Sequence, residues 1–284
     1  MSGVYTDRFR MSTVNHVQTS AITTRLPVVT NSTTSIDSFK SSGSNTLVRT
    51  IGTEQSFTFK FDSLKAVDII HLNRTNVAAG STSRVRLILS GVTVYDTGVQ
   101  TMIPAQTLGS YGSNFGIIPL GGSITSTTGS LPDFTIQLPL AVIADSCVID
   151  IYALNNSYID VSKVLVSTLF SPISTNISYG LSLSYKNANV TQRAAGGGAV
   201  VSKKFTIRVI TLSIEKYTET DRAALADIFK RYAGDPMFIT CFPTYTGIQE
   251  RDYSGMFVIS NSDLNITHPL YGLFDTSSIT FEEV

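Results

Sequence analysis

The sequence predicts a mainly β protein: a β-sandwich of the jelly-roll kind, followed by a second β-rich domain carrying one α-helix. Three observations predict it. Runs of four to eight residues with period-two alternation recur from Leu47 onward, separated by clusters of Gly, Ser, Thr, Asn and Asp. A single segment has helical spacing with start and stop signals at both ends. Hydrophobic residues make up 42% of the 284, enough for real cores, whereas charged residues are only 15%.

Residues 1–45 are polar, with a dense run from Thr30 to Ser44, and hold few apolar residues to offset ordering entropy. They read as an extended N-terminal arm that orders against a neighbour. Residues 46–172 read as the sandwich. In SFTFKFDSL, Phe57, Phe59 and Phe61 share one face and Thr58 and Lys60 the other. AVDIIHL, RVRLILSG, VTVYDTGVQ, DFTIQLPL, CVIDIYALN and VSKVLVSTLF supply further strands, with a turn at Asp96 to Gly98. The stretch from Thr101 to Pro132, rich in Gly, Ser, Thr and Pro, reads as a long loop.

Residues 173–284 read as the second β-rich domain. ISYGLSLSYKN and VVSKKFTIRVITLSIEKY are strands bracketing RAAGGGA, a hairpin connection. The helix is placed near 219–233. Thr218 or Thr220 caps it, Glu219 and Asp221 suit its positive end, and Leu225, Ile228, Phe229 and Tyr232 form its buried stripe. Lys230 and Arg231 suit the last turn, Gly234 is the natural C′ residue, and Pro236 blocks continuation. PMFITCF, GMFVIS, LNITH and SITFEEV are the remaining strands.

Residues that could carry chemistry are sparse. The three histidines, His16, His71 and His268, form no metal-ligand spacing, and neither Cys147 nor Cys241 neighbours one. Both cysteines sit in apolar runs and read as buried thiols. Asp96, Asp133 and Asp145 are single loop carboxylates that turn chemistry accounts for, without the spacing of a calcium loop. No nucleophile elbow or phosphate loop occurs, so the expectation is no enzyme, no metal and no cofactor. Basic and acidic residues balance at 21 each, and no apolar run reaches about 18 residues; neither nucleic acid nor membrane is expected as a partner. Arg84 and Arg86, alternating with Val85 and Leu87, share an outward strand face, where they pair with acids of a neighbouring subunit or simply solvate it. Tyr95, Tyr111 and Phe115 are the candidate sugar-contacting aromatics, with core or loop packing as the plainer fate of each.

The order of these motifs carries a resemblance. TLVRTIGTEQSFTFKFDSLKAVDIIHLNRTNVAAGSTSRVRLILSGVTVYDTG resembles the first half of a discoidin-type, galactose-binding-like jelly roll. Its continuation through VSKVLVSTLFSP, SYG, a Gly-rich hairpin and ETDRAALADIFKRYAGDP is similar to a class of tail proteins of tailed bacteriophages, over residues 45–260. The resemblance implies a structural component of the virion tail, made in the host cytoplasm. It implies a homo-oligomeric ring or sheath, like the non-contractile tail sheath of podoviruses, with copies of itself and other tail proteins as partners. The long loop at 101–132 departs from the pattern, and no sugar-contacting residue carries over. The alternative is a carbohydrate-binding or adhesin module for host-surface attachment, with a glycan as partner near Tyr95 and Tyr111.

Overall fold

The structure is a computed structural model. It describes residues 9–28, 35–40, 47–78, 80–102, 106–107, 123–124, 133–154, 157–172, 177, 181–187, 190–193, 199–202, 206–232, 234–241 and 255–284. The chain divides into a sandwich unit, Val14–Leu169, and a second unit that joins Met1–Thr13 to Phe170–Val284. β1 (Arg10–Ser12) belongs to the second unit. The sandwich unit holds β2 (Ala21–Thr24), β3 (Val48–Ile51), β4 (Glu54–Thr75), β5 (Thr82–Leu89), β6 (Val92–Asp96), β7 (Gln100–Thr101), β8 (Gln106–Thr107), β9 (Ser123–Ile124), β10 (Phe134–Tyr152) and β11 (Tyr158–Ser167).

Two long strands organise the sandwich. The first half of β4 pairs with the last half of β10, and these are flanked by β2 on one side and β5 then β6 on the other, all antiparallel. The second half of β4 pairs with the first half of β10 and with β11, which carries β3. β4 and β10 therefore run through both sheets, and the runs that read as separate strands in the sequence are continuous. Between Ala144 and Ser146, β10 advances two residues while β4 advances five, from Lys65 to Lys60. Between Gln137 and Val142 the excess is reversed: β10 advances five while β4 advances two, from Ile69 to Val67. The two irregularities cancel, so the ladder regains its register while both strands bend from one sheet to the other.

The core lies between the sheets. Phe57, Phe59 and Phe61 face it, as the alternation predicts, against Val85, Leu87, Cys147, Ile149, Ile159 and Val164, all buried. After β6 the chain turns at Asp96, whose Oδ1 accepts the Gly98 N–H at 2.8 Å, and Gly98 takes φ +65°, open to glycine at low cost.

The N-terminal residues correct the expectation of an extended arm. Met11 and Phe170 form a two-way backbone bridge, and β1 pairs with a strand of the second unit. In the sandwich unit a 3-10 turn at His16–Thr19 is capped by Asn15, whose amide also donates to Val164 O at 2.7 Å and accepts from Val166 N–H at 3.2 Å. Val17 and Phe39 are fully buried, and Phe39 meets the rings of Phe57 and Phe59 at 5.4 and 5.9 Å. Low apolar density suggested an arm that needs a neighbour to order it, but a few well-placed anchors suffice, each contributing about 1.5–3 kcal/mol when fully buried.

The second unit adds β12 (Ser182–Asn187), β13 (Val190–Arg193), β14 (Ala199–Ser202), β15 (Thr206–Leu212), α1 (Glu219–Tyr232), β16 (Met237–Thr240), β17 (Met256–Ser260), β18 (Ile266–Leu270), β19 (Leu273–Thr276) and β20 (Ile279–Glu283). Its sheet runs β1-β16-β17-β20-β15-β12, and every pairing is antiparallel. β13 and β14 pair on either side of the triple glycine, which lies outside the described residues. The helix starts and ends where its capping residues predict, and Gly234 takes φ +88°. Leu225 and Phe229 are buried on the sheet, with Phe229 at 6.4 Å from the ring of Phe281. β1, β13 and β19 are strands the sequence pattern missed in this unit: three or four residues each are too few to show a period.

Phe39→Ala is expected to lower the unfolding free energy of the full chain by about 3–5 kcal/mol in urea denaturation. A freely extended arm would leave the transition unmoved.

Candidate functional site

Arg84 and Arg86 stand on the outer face of β5, opposite the buried Val85 and Leu87. Their acids come from their own sheet. Arg84 donates Nε–H to Asp96 Oδ1 at 3.0 Å and Nη2–H to Asp96 Oδ2, while Arg86 donates Nη2–H to Asp150 Oδ2 at 2.6 Å. The register sets Asp150 of β10 across from Arg84, and Asp96 of β6 across from Arg86. Both ion pairs are thus diagonals on one sheet face, and the two arginines find acids within the chain, where the sequence left open a neighbouring subunit's acids or simple solvation of the face. The Arg84 guanidinium, helped by the Gly98 N–H, pushes the Asp96 carboxyl down to about 2.

Of the three candidate sugar-contacting aromatics, one lies among the described residues. Tyr95 is half-buried and packs against the sandwich core rather than offering its ring to solvent. Tyr111 and Phe115 lie outside the described residues. The loop carboxylates tie distant backbone rather than their own turns alone: Asp133 accepts the Arg74 N–H at 2.8 Å, and Asp145 accepts the Ser90 N–H at 2.5 Å as well as the Ser146 hydroxyl at 2.7 Å. His71 is buried in β4 and shares a hydrogen bond with the Thr135 hydroxyl at 2.8 Å. Burial pushes the Cys241 thiol up to about 12 and the Cys147 thiol higher still, so neither is a nucleophile at neutral pH. Among the described residues, no group of three or more His, Cys, Asp or Glu side chains is placed to hold a metal.

A different cluster forms on the outer face of β3 and β11. Arg49 and Asp160 are direct cross-strand partners, as are Ile51 and Tyr158 one pair further along. Arg49 engages Asp160 with both Nε and Nη2 at 2.7 Å, a bidentate fork. Its guanidinium carbon lies 4.3 Å from the centroid of the Tyr158 ring, within cation–π range. Asn76 fixes the strand beneath them. Its Oδ1 accepts the Asp160 N–H at 2.7 Å and its Nδ2–H donates to Tyr158 O at 3.1 Å, so the side chain acts as a further rung of the ladder.

The electrostatics are closed but the surface is not. Asp160 is largely buried and its charge is matched by Arg49, while Tyr158 stays 40% exposed and Ile51 61% exposed. A flat patch of ring, guanidinium plane and aliphatic side chain is therefore offered beside a phenol hydroxyl and the remaining Arg49 donors. Such a surface can stack the C–H face of a sugar ring and hydrogen-bond its hydroxyls; it has no positioned nucleophile or base. In the sequence, the period-two spacing of Arg49 with Ile51 and of Tyr158 with Asp160 was visible. Which two strands lie side by side, 109 residues apart for Thr50 and Ile159, was not.

No protein-family model matches this chain, and no curated protein matches it. Solved structures do. A family 32 carbohydrate-binding module from C. perfringens NanJ, in complex with galactose, is 14% identical over 54% of this chain and 96% of its own, with a TM-score of 0.36. A chitosan-binding module from a Paenibacillus chitosanase/glucanase is 13% identical over 55% of this chain and 100% of its own, at 0.36. A fucose-binding module of Streptococcus pneumoniae is 11% identical over 55% of this chain and 98% of its own, at 0.34. These values describe a likeness of chain path over about half of this chain, and not a ligand.

Arg84→Ala is expected to raise the Asp96 pKa from about 2 toward the ordinary aspartate value of about 3.9, read by NMR carboxyl titration. Because the folded value is depressed, whatever the pair contributes to stability is present above about pH 4 and is lost as pH falls toward 2. Salt weakens it, since both partners are about a third or more exposed.

Proposed function

We propose that this chain is a non-catalytic recognition module that binds carbohydrate on the outer face of β3 and β11. The observation that carries the reading is the Arg49–Tyr158 stack, locked by Asp160 and bordered by the exposed Ile51. Sugar recognition needs a rigid flat apolar face with hydrogen-bonding groups at its rim. A guanidinium held by a bidentate carboxylate, on a strand pair pinned by Asn76, provides that rigidity without a mobile loop. With Arg49 neutralised by Asp160, the patch favours sugars over highly charged ligands.

The second reading is the one the sequence resemblance implies: a virion tail component, forming a homo-oligomeric ring or sheath with other tail proteins around it. What favours it is a surface poor in charge, 15% of residues with 21 of each sign, so that copies meet with little like-charge repulsion. The two readings are compatible, because a tail component can also attach to a host glycan.

Binding of the full chain to an array of neutral and anionic glycans tests the first reading. Tyr158→Ala is expected to reduce binding at least tenfold, with little change in thermal unfolding because the ring is 40% exposed. A silent array from folded wild-type protein would remove the reading. Immunogold labelling of purified virions tests the second, and particles without the protein would remove it.

A further inference from the structure

We infer that the cleft between α1 and the turn joining β17 to β18 is a binding site for a short peptide with free termini and apolar side chains. The site does not rest on the carbohydrate reading, whose residues all belong to the sandwich unit. The cleft holds about 560 Å³, within the roughly 300–1,000 Å³ of small-molecule sites.

Its two walls are built differently. On α1, Ala226, Phe229 and Lys230 are spaced i, i+3 and i+4, and so share one helix face along the cleft. Phe229 is 7% exposed and meets the Phe281 ring at 6.4 Å, which anchors the apolar part of this wall in the core of the second unit. The chain from Ser260 to Ile266 forms the other wall, with Leu264 and Ile266 packed against the same core. Its turn is tied down on β20. The Asn261 N–H donates to Thr280 O at 3.0 Å, the Ser262 hydroxyl oxygen accepts the Thr280 N–H at 2.8 Å, and the Asn261 amide donates to Glu282. The Ser260 hydroxyl closes the turn on Ser262 O at 2.9 Å. A wall fixed in this way has little freedom left to lose on binding.

The charges select the ligand. Lys230 lines the cleft from the helix and Asp263 from the turn, and both are exposed. Among the described residues neither is engaged in an ion pair. Asp227, within a turn of Lys230, is taken by Arg231 at 2.8 Å, and Glu282 by Lys186 at 3.0 Å. A phosphate would be drawn to Lys230 but repelled by Asp263, and a bare cation the reverse. A molecule carrying both signs satisfies both walls, its carboxylate at Lys230 and its ammonium at Asp263. Between them, apolar side chains meet Phe229, Leu264 and Ile266. That is the chemistry of a short peptide of leucine-like residues with free ends. Exposed ion pairs are screened by water, so the affinity is about millimolar.

Amide NMR of the full chain, titrated with dileucine and trileucine, tests this. The expected result is a saturable shift of the backbone amides of residues 261–264 by at least one of the two, at about millimolar concentration and weakened by added salt. The same peptides acetylated and amidated, which removes both charges, are expected to bind about fivefold more weakly or worse. The free peptides are expected to lose as much against Lys230→Met or Asp263→Asn. Both positions are exposed, so each variant is expected to fold, which circular dichroism melting checks. Amides left unmoved by both free peptides at about ten millimolar, blocked peptides that bind as well as free ones, or full binding to both variants would each overturn the site.

Discussion

The sandwich unit depends on one constraint: β4 and β10 remain hydrogen-bonded partners while passing from one sheet to the other. A strand pair can bend this sharply only if extra residues are taken up at the bend, and an uncompensated excess would shift every later side chain to the wrong face. Here each strand takes up its excess once, in opposite senses, and the register recovers. Phe57 and Phe59 on one side of the bend and Val67, Ile70 and Leu72 on the other consequently all reach the same core. The bend also leaves Leu64, Leu140 and Ile143 exposed, where the sequence reads as if more core were being built.

From that frame the positions of the polar groups follow. The outer face of one sheet carries Arg84 and Arg86, whose carboxylates arrive on the neighbouring strands β6 and β10. The outer face of the other carries Arg49 and Asp160, brought together because β3 and β11 are adjacent. Both sets are ion pairs, yet they differ in what surrounds them. Arg84 and Asp96 pair on an open face, where screening limits the energy. Asp160 is mostly buried, and removing Arg49 would strand its charge. The same fork that protects the fold also holds Arg49 against the Tyr158 ring.

The second unit shows how a helix can be legible when the strands around it are less so. Capping residues, dipole-matched charges and a four-residue stripe mark α1 within its own segment, independent of what it packs on. Strands lack such self-contained signals. β19 went unread, and β18 was seen without its partner, because a strand is defined by a neighbour that can lie anywhere in the chain.

The amino-acid sequence by itself determined the fold class, the helix and its ends, the inward face of each long strand and the burial of both thiols. All of these follow from local spacing and hydrophobicity, which are properties of short windows. Only the tertiary structure decided that β4 and β10 are single strands, that Val17 and Phe39 anchor the supposed arm, and that Tyr95 belongs to the core. It alone brought Arg49, Asn76, Tyr158 and Asp160 into one cluster. The physical reason is the same in each case. Strand neighbours and core contacts are set by long-range packing, and a sequence read in windows carries the faces of its strands but not their order.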